Sequence, residues 1–277
     1  MQARSALETS LPPRPTVVEW RDLVPLTGAE RFIEITLSLP WLLASLWCYQ
    51  QGYWLPALAC SFYFFLTGLR QSHGAQHYSL GLSRFGHDLL LFALSMLMLG
   101  SMHAVQASHL HHHRHCLEDE DTEGQVAREK WWFPLFAGPL FLARLHQTAW
   151  RIGTTRQRHW IVAELLAIAA WMLIVASWMR GSAWHFHTVG MLTGECLTAF
   201  FAVWIVHHDT PNPAGRTQRG FWINCFSYNM FFHLEHHLYP AVPTPHLHLL
   251  ADRLDRFDSQ APITMVIPKA NRLLAVP

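Results

Sequence analysis

The sequence predicts an all-α integral membrane protein: two transmembrane helical hairpins whose ends on one side carry a histidine-rich cap. Three observations predict it. Hydrophobic residues make up 51% of the 277 positions and charged residues only 14%, well below the roughly 25% of soluble domains. Four long apolar runs fall into two pairs, each pair joined by a short polar turn. The chain's 20 histidines gather at the ends of apolar segments rather than scattering.

Residues 1–28 are polar and proline-bearing and read as a cytosolic N-terminal segment, with Trp20 at the interface; they show no apolar core of a secretory signal. Runs 32–49 and 53–69, joined by QQG, are each near the roughly 17-residue lower limit for crossing the hydrocarbon core as a helix, which gives the first hairpin. Runs 160–179 and 184–206, joined by RGSA and flanked by tryptophans, give the second. The stretch 131–150 (WWFPLFAGPLFLARLHQTAW) holds Pro134, Pro139 and Arg144, which disfavour a spanning helix and suit an interfacial one. Near the end, TPHLHLLADRLDRF reads as an amphipathic helix with Thr244 as N-cap, Pro245 at the first position, and Leu247, Leu250, Leu254 and Phe257 on one face. The net charge of +1 gives no footprint for nucleic acid. Five cysteines without a CxxC pair give neither a disulfide framework nor a zinc ribbon.

Three histidine clusters carry the chemistry. His73 and His77 lie in HGAQH, His109, His112 and His113 in HLHHH, and His233, His236 and His237 in HLEHH. Positions i, i+3 and i+4 share a helix face, so each cluster can aim two or three imidazoles at one point. Without metal, that crowding would leave donors and acceptors to be satisfied one by one. Imidazole suits zinc, copper, iron and nickel alike, so ligand type does not choose the ion. Eight histidines exceed the four ligands of a structural zinc site, and two adjacent metals fit the count better.

The order HxxxH, HxxHH, HxxHH, with the last box inside NMFFHLEHHLYPAVP, resembles the membrane fatty acid desaturase superfamily from about residue 32 to about residue 255. The resemblance implies two irons bound by His73, His77, His109, His112, His113, His233, His236 and His237, with O2 as co-substrate. It implies one more histidine ligand between the last span and the third box, for which VHHD offers His208, placed first, or His207, and a polar residue near the metals, matched by Asn229. It makes 29–258 a membrane desaturase-like domain between the N-terminal segment and a C-terminal tail, 259–277.

Irons shared by three boxes require all three on one membrane face, so 89–105, although long enough to cross, must lie in the interface or re-enter. Arg180 is then the only Lys or Arg on the far side, which makes both termini and the active site cytoplasmic.

The acidic run 118–123 reads either as a solvated loop or as a source of carboxylates that accept a ligand's outer N–H; Asp119 and Asp121 are the best placed, with Glu235 inside the third box a further candidate. His87, His103, His146 and His159, taken singly, read as surface or interfacial residues. His111 and His115 lie off the converging face, and His185 and His187 fall on the far side. Glu195 is mid-span and should face the bundle. Glu34 and Glu164, near helix starts, need no functional role.

The leading functional reading is an acyl-chain desaturase in the bilayer. Its electrons would come from a separate ferredoxin-like or cytochrome b5-like carrier and its reductase, since neither an HPGG haem motif nor a cysteine-rich iron–sulfur motif is present. A hydroxylase or ketolase of a lipid or carotenoid is the alternative, because Gly74 in HGAQH stands where the superfamily commonly has an acid. A metal transporter or sensor is the third reading, disfavoured because the ligands gather at one membrane edge rather than the midplane.

Overall fold

The computed structural model describes residues 18–210, 214–258 and 263–268, and among these every regular element is helical. Of the N-terminal segment and C-terminal tail expected from the sequence, 1–17, 259–262 and 269–277 lie outside the described residues. The first long rod is made of α1 (Gly28–Thr36) and α2 (Leu39–Gln50). A capping box starts it, Thr27 Oγ1 accepting the Glu30 amide while the Glu30 carboxylate accepts the Thr27 amide. At Gly52, whose φ of 78° favours glycine, the chain reverses into α3 (Trp54–Gln76).

Helices α4 (Arg84–Met98) and α5 (Met102–His115) meet at an angle of 112°. Leu99 stops α4 in the left-handed region (φ 65°), and Ser101 starts α5 by accepting the Ala104 amide. Glu164 finishes the corner from the neighbouring helix, accepting from Ser101 Oγ at 2.6 Å and the His103 amide at 3.3 Å, a carboxylate set on a helix N-terminus. Short α6 (Phe133–Phe136) and α7 (Gly138–Ile152) follow. Pro134 and Pro139 stand in their first turns, where a missing N–H is harmless, so the prolines start helices rather than break them.

Two long helices come next. α8 (Thr155–Trp178) is followed by α9 (Ala183–Thr198), which runs on through a π-helical stretch, Ala199–Trp204, into the single turn α10 (Ile205–His207). Gly28–Gln50, Thr155–Trp178 and Ala183–His207 are long and apolar enough to cross a membrane, and the bent α4–α5 pair would be a fourth if it formed one span. α3, the second arm of the expected first hairpin, is not among them, although it has 23 residues and packs along α2. Its last turns hold Arg70, Gln71, Ser72, His73 and Gln76, which lower its hydropathy. Only 22% of the apolar window in α8 is buried, so this helix turns most of its leucines and isoleucines outward, as a lipid-facing helix does.

The interior joins Phe64 and Phe65 of α3, Leu91, Leu94 and Met98 of α4, Met102 of α5 and Met191 of α9. After the short helix α11 (Phe221–Phe226), a second core joins the short helix α12 (His233–Leu238) and α13 (Leu247–Phe257). There Leu247 and Leu250 pack with Leu23, Leu234 and Tyr239. Trp20 joins this core, its ring 5.6 Å from that of Tyr239, instead of resting at an interface. Thr244 does not cap α13; it opens a 3-10 turn, Thr244–His246, that leads into it, and Phe257 is exposed.

Several residues given a bland reading are buried and paired. Glu34 meets Arg70 in a buried ion pair. His103 lies between Glu164 (2.6 Å) and Asp88 (3.3 Å), and His87 is buried with Nδ1 2.9 Å from the Ser83 carbonyl. The partners of Glu34 and His103 are 15 to 61 positions away, so no local window of sequence shows them.

Gly138 sits where an added Cβ would run into the backbone carbonyl of Cys196 on α9. Gly138→Ala should therefore force α7 off α9 and destabilise the protein by about 1–3 kcal/mol, the usual range for overpacking. Thermal unfolding in detergent, followed by circular dichroism, should show a lowered midpoint.

Candidate metal centre

Four helix ends deliver nine imidazoles to one place: the end of α3 (His73, His77), the last turns of α5 (His109, His112, His113), α10 (His207) and α12 (His233, His236, His237). They form two groups, in each of which the possible ligand atoms all lie within 4.8 Å of one another. One is His73, His77, His109, His113 and His236; the other is His112, His207, His233 and His237. The i, i+4 pairs 73/77, 109/113 and 233/237 each stay together, because four residues bring a helix back almost to the same face. His112 beside His113 and His237 beside His236 go to opposite groups, since consecutive residues point about 100° apart on a 3.6-residue turn. HxxHH thus serves two neighbouring points from one helix.

The contacts fit cations better than they fit hydrogen bonds. Nε2 atoms stand 3.0 Å apart in His109–His77, 3.2 Å in His113–His109 and 3.1 Å in His236–His113. In the second group His112–His207 is 3.1 Å and His233–His207 2.8 Å. A neutral imidazole nitrogen without hydrogen offers one in-plane lone pair, so His109 Nε2 cannot accept from both His77 and His113. Four or more ligands held about 2.0–2.1 Å from one ion would lie roughly 3 Å from each other. His237 is the sharpest case: it is buried, and neither ring nitrogen has a hydrogen-bond partner among the described residues. Burial, and after it the proximity of other imidazoles, hold His233, His236 and His237 well below the usual histidine pKa, which leaves them neutral with lone pairs to give.

Two carboxylates fix the rings from outside. His112 Nδ1 lies 2.7 Å from the Asp121 carboxylate and His109 Nδ1 2.9 Å from that of Glu123, contacts that turn each Nε2 inward toward the clusters. Burial opposes charge on Asp121, but His112 and the amides of Gly124 and Leu117 donate to it, and its carboxyl stays below the usual range. Gly124 is needed here, since a Cβ would run into the Asp121 carboxylate.

Asp119 does not share this role: it is exposed and pairs with Arg128 at 3.3 Å. Glu235 is buried inside the third box, yet it bonds Thr217 at 2.7 Å and Arg219 at 2.8 Å rather than an imidazole, so it ties α12 to the chain before α11. Glu123, not ranked beside Asp119 and Asp121 in the acidic run, reaches His109 because of the turn after α5, which no local spacing shows.

Of the VHHD pair, His207 and not His208 joins the cluster. His208 stacks on Trp204 at 4.1 Å and donates from Nδ1 to the Ala127 carbonyl at 3.0 Å. The π-helical stretch just before it widens the turn and changes the direction in which VHHD presents its rings, which spacing along the span does not record. Gly215, with φ of 96°, brings its backbone against the rings, its would-be Cβ 3.1 Å from His207 Nδ1 and 3.0 Å from His233.

Asn229, also in the left-handed region at φ 61°, lines a cavity of about 80 Å³ with His73, His109, His233 and His236. The rest of that wall is largely apolar, with Leu69, Phe201 and Val206 among its residues. His187 lies outside the clusters, as does His185, but His187 is buried and its Nε2–H donates to the Leu97 carbonyl at 2.8 Å, so it is a packing residue rather than a free one. His111 and His115 stack on each other at 4.4 Å away from both groups.

The described residues, all-helical in their regular elements, with apolar helices long enough to cross a membrane and two adjoining imidazole clusters of metal-ligating geometry, define a histidine-box protein. A family profile described as fatty acid desaturase matches residues 51–268, most of the chain. The protein belongs to the fatty acid desaturase family, which places it among oxidoreductases. No curated protein matches the chain.

The geometry separates four substitutions. Asp121→Asn and Glu123→Gln should each lower metal affinity or activity about 10–100-fold through loss of ring orientation. His207→Ala should lose metal from the second group, while His208→Ala keeps it. Metal content of the purified variants, measured by inductively coupled plasma mass spectrometry, checks all four.

Proposed function

We propose that this protein is an O2-dependent di-iron desaturase that introduces a double bond into a lipid acyl chain at the cytoplasmic face of the membrane. The observation that carries the reading is the meeting of five and four imidazoles beside a mostly apolar cavity, in a chain of the fatty acid desaturase family. His73, His77, His109, His113 and His236 would hold one iron, and His112, His207, His233 and His237 the other. Iron with O2, two electrons and two protons supplies the oxidising power to remove two hydrogens from adjacent unactivated carbons, with two waters formed.

The chain's own residues prepare that chemistry. Leu69, Phe201 and Val206 offer an apolar wall for a methylene chain and exclude bulk water beside the histidines. Asp121 and Glu123 hold two rings so that Nε2 faces the clusters. Asn229 brings a polar side chain to the same cavity. The 112° corner between α4 and α5 supports a re-entrant segment, and the lone Arg180 beyond the spans supports two hairpins with all boxes on the cytoplasmic side. Electrons would come from a separate ferredoxin-like or cytochrome b5-like carrier.

Hydroxylation or ketolation of a lipid or carotenoid is the second reading. Gly74 favours it by departing from the acid common in box one, and here Leu80 Cδ2 lies 2.7 Å from where a Cβ would be, so an acid has no room. Product analysis decides between the two. Lipids of a host expressing the protein, resolved by mass spectrometry with chain-position assignment, should gain an alkene; an alcohol or ketone instead would move the assignment to the second reading. His236→Ala at equal membrane expression should form no product, and full activity there would sink the di-iron assignment.

Topology has its own check. Glu120→Cys and Arg180→Cys, both at exposed positions, should react with a membrane-impermeant thiol reagent from opposite faces, Glu120→Cys from the cytoplasmic side. Labelling of both from one side would overturn the two-hairpin arrangement.

A further inference from the structure

The face of α5 turned away from the metal centre lines a second cavity. His103, Gln106, Leu110 and Arg114 recur at helical spacing on that side, opposite His109, His112 and His113. The cavity measures about 250 Å³ and is completed by the starts of α4 and α8, with Arg84, Asp88 and Arg156. It shares no wall residue with the cavity beside the histidines.

Its charge is unbalanced. Asp88 is the only carboxylate in the wall; it is buried and already engaged by Arg156 and His103. Arg84 and Arg114 add two guanidinium groups that make no hydrogen bond or ion pair among the described residues; Arg84 only rests over the Tyr78 ring, 5.5 Å from its centroid. The net positive charge disfavours a cation, and a neutral sugar offers neither guanidinium an opposite charge. A phosphate oxyanion matches them, since guanidinium groups bind phosphate through paired, charge-assisted hydrogen bonds.

The surroundings point to the source of the phosphate. Arg156 is in the first turn of the apolar helix Thr155–Trp178, and on the two helices that supply Arg84, Asp88 and Arg156 to the wall, Phe85 and Leu89 of α4 and Val162 and Leu166 of α8 are exposed large apolar residues. A charged pocket at the polar first turn of such a helix, on elements whose following turns expose large apolar residues, has the layout of a headgroup above acyl chains. We propose that this pocket binds the phosphate group of an anionic membrane phospholipid behind the histidine-bearing helix. The proposal rests on α8 crossing the bilayer and not on the reaction, so the identity of the product does not bear on it.

The test uses the full chain in non-ionic detergent, with short-chain phosphatidylglycerol, the matching diacylglycerol and inorganic phosphate as probes in native mass spectrometry. Phosphatidylglycerol should bind saturably at one site and diacylglycerol should not. Arg84→Gln with Arg114→Gln should weaken phosphatidylglycerol about tenfold or more, since hydrogen bonds to charged groups carry differences of that order. Both residues are exposed, so the variant should keep the wild-type melting temperature and metal content.

Unchanged phosphatidylglycerol affinity in the double variant, or equal binding of diacylglycerol, would overturn the site. Inorganic phosphate binding as tightly as phosphatidylglycerol would keep the phosphate chemistry and overturn the lipid as its source. A preparation without iron or without activity leaves this binding measurement intact, so failure of the desaturase reading and failure of this site remain distinct results.

Discussion

Everything else in the molecule depends on bringing nine imidazole lone pairs into a buried space where protein donors cannot satisfy them all. His237 states the constraint most plainly, with two ring nitrogens buried and unpartnered. A buried polar group without a partner costs about 1–3 kcal/mol. Ring nitrogens set about 3 Å from one another cannot all donate and accept in turn, so lone pairs are left over for an external acceptor. Helices meet that demand because i, i+4 spacing aims two rings at one point, and four helix ends can converge without exposing backbone to an apolar surrounding.

Convergence requires that the chain turn sharply near the site, and buried charge supplies the turns. At the α4–α5 corner Glu164 receives Ser101, the His103 amide and the His103 ring, while Asp88 holds the other side of that ring. Before the third box, Arg70 joins Glu34 and donates to the Tyr228 carbonyl at 2.8 Å, next to the left-handed residues Tyr228 and Asn229. Buried ion pairs often add little net stability, because desolvation offsets attraction, but breaking one leaves a stranded charge. Their effect here is to fix direction: the first sets where α5 points its histidines, and the second sets where Asn229 meets the cavity.

α5 is consequently used on both sides. Its inner face offers lone pairs, and its outer face presents guanidinium and amide groups to a polar cavity. Arg114 follows directly on His113, so the two environments are separated by the width of one helix.

The sequence by itself determined the helical class, the membrane-like composition and the eight box histidines, because these are local properties: hydropathy over a run, and ring spacing within one or two turns. It offered Asp119, Asp121 and Glu235 as carboxylates for the rings, of which Asp121 meets His112. Tertiary structure decided what depends on distance or on a count that fails. At the end of the last span, after the π-helical stretch, His207 rather than His208 joins the cluster. The turn after α5 placed Glu123 on His109 and left Asp119 in solvent. Glu34, His87, His103 and Glu164, which read as ordinary surface or helix-start residues, are buried among partners mostly far away in the chain. Burial of a polar side chain is a property of what folds against it, and no window of neighbouring residues records that.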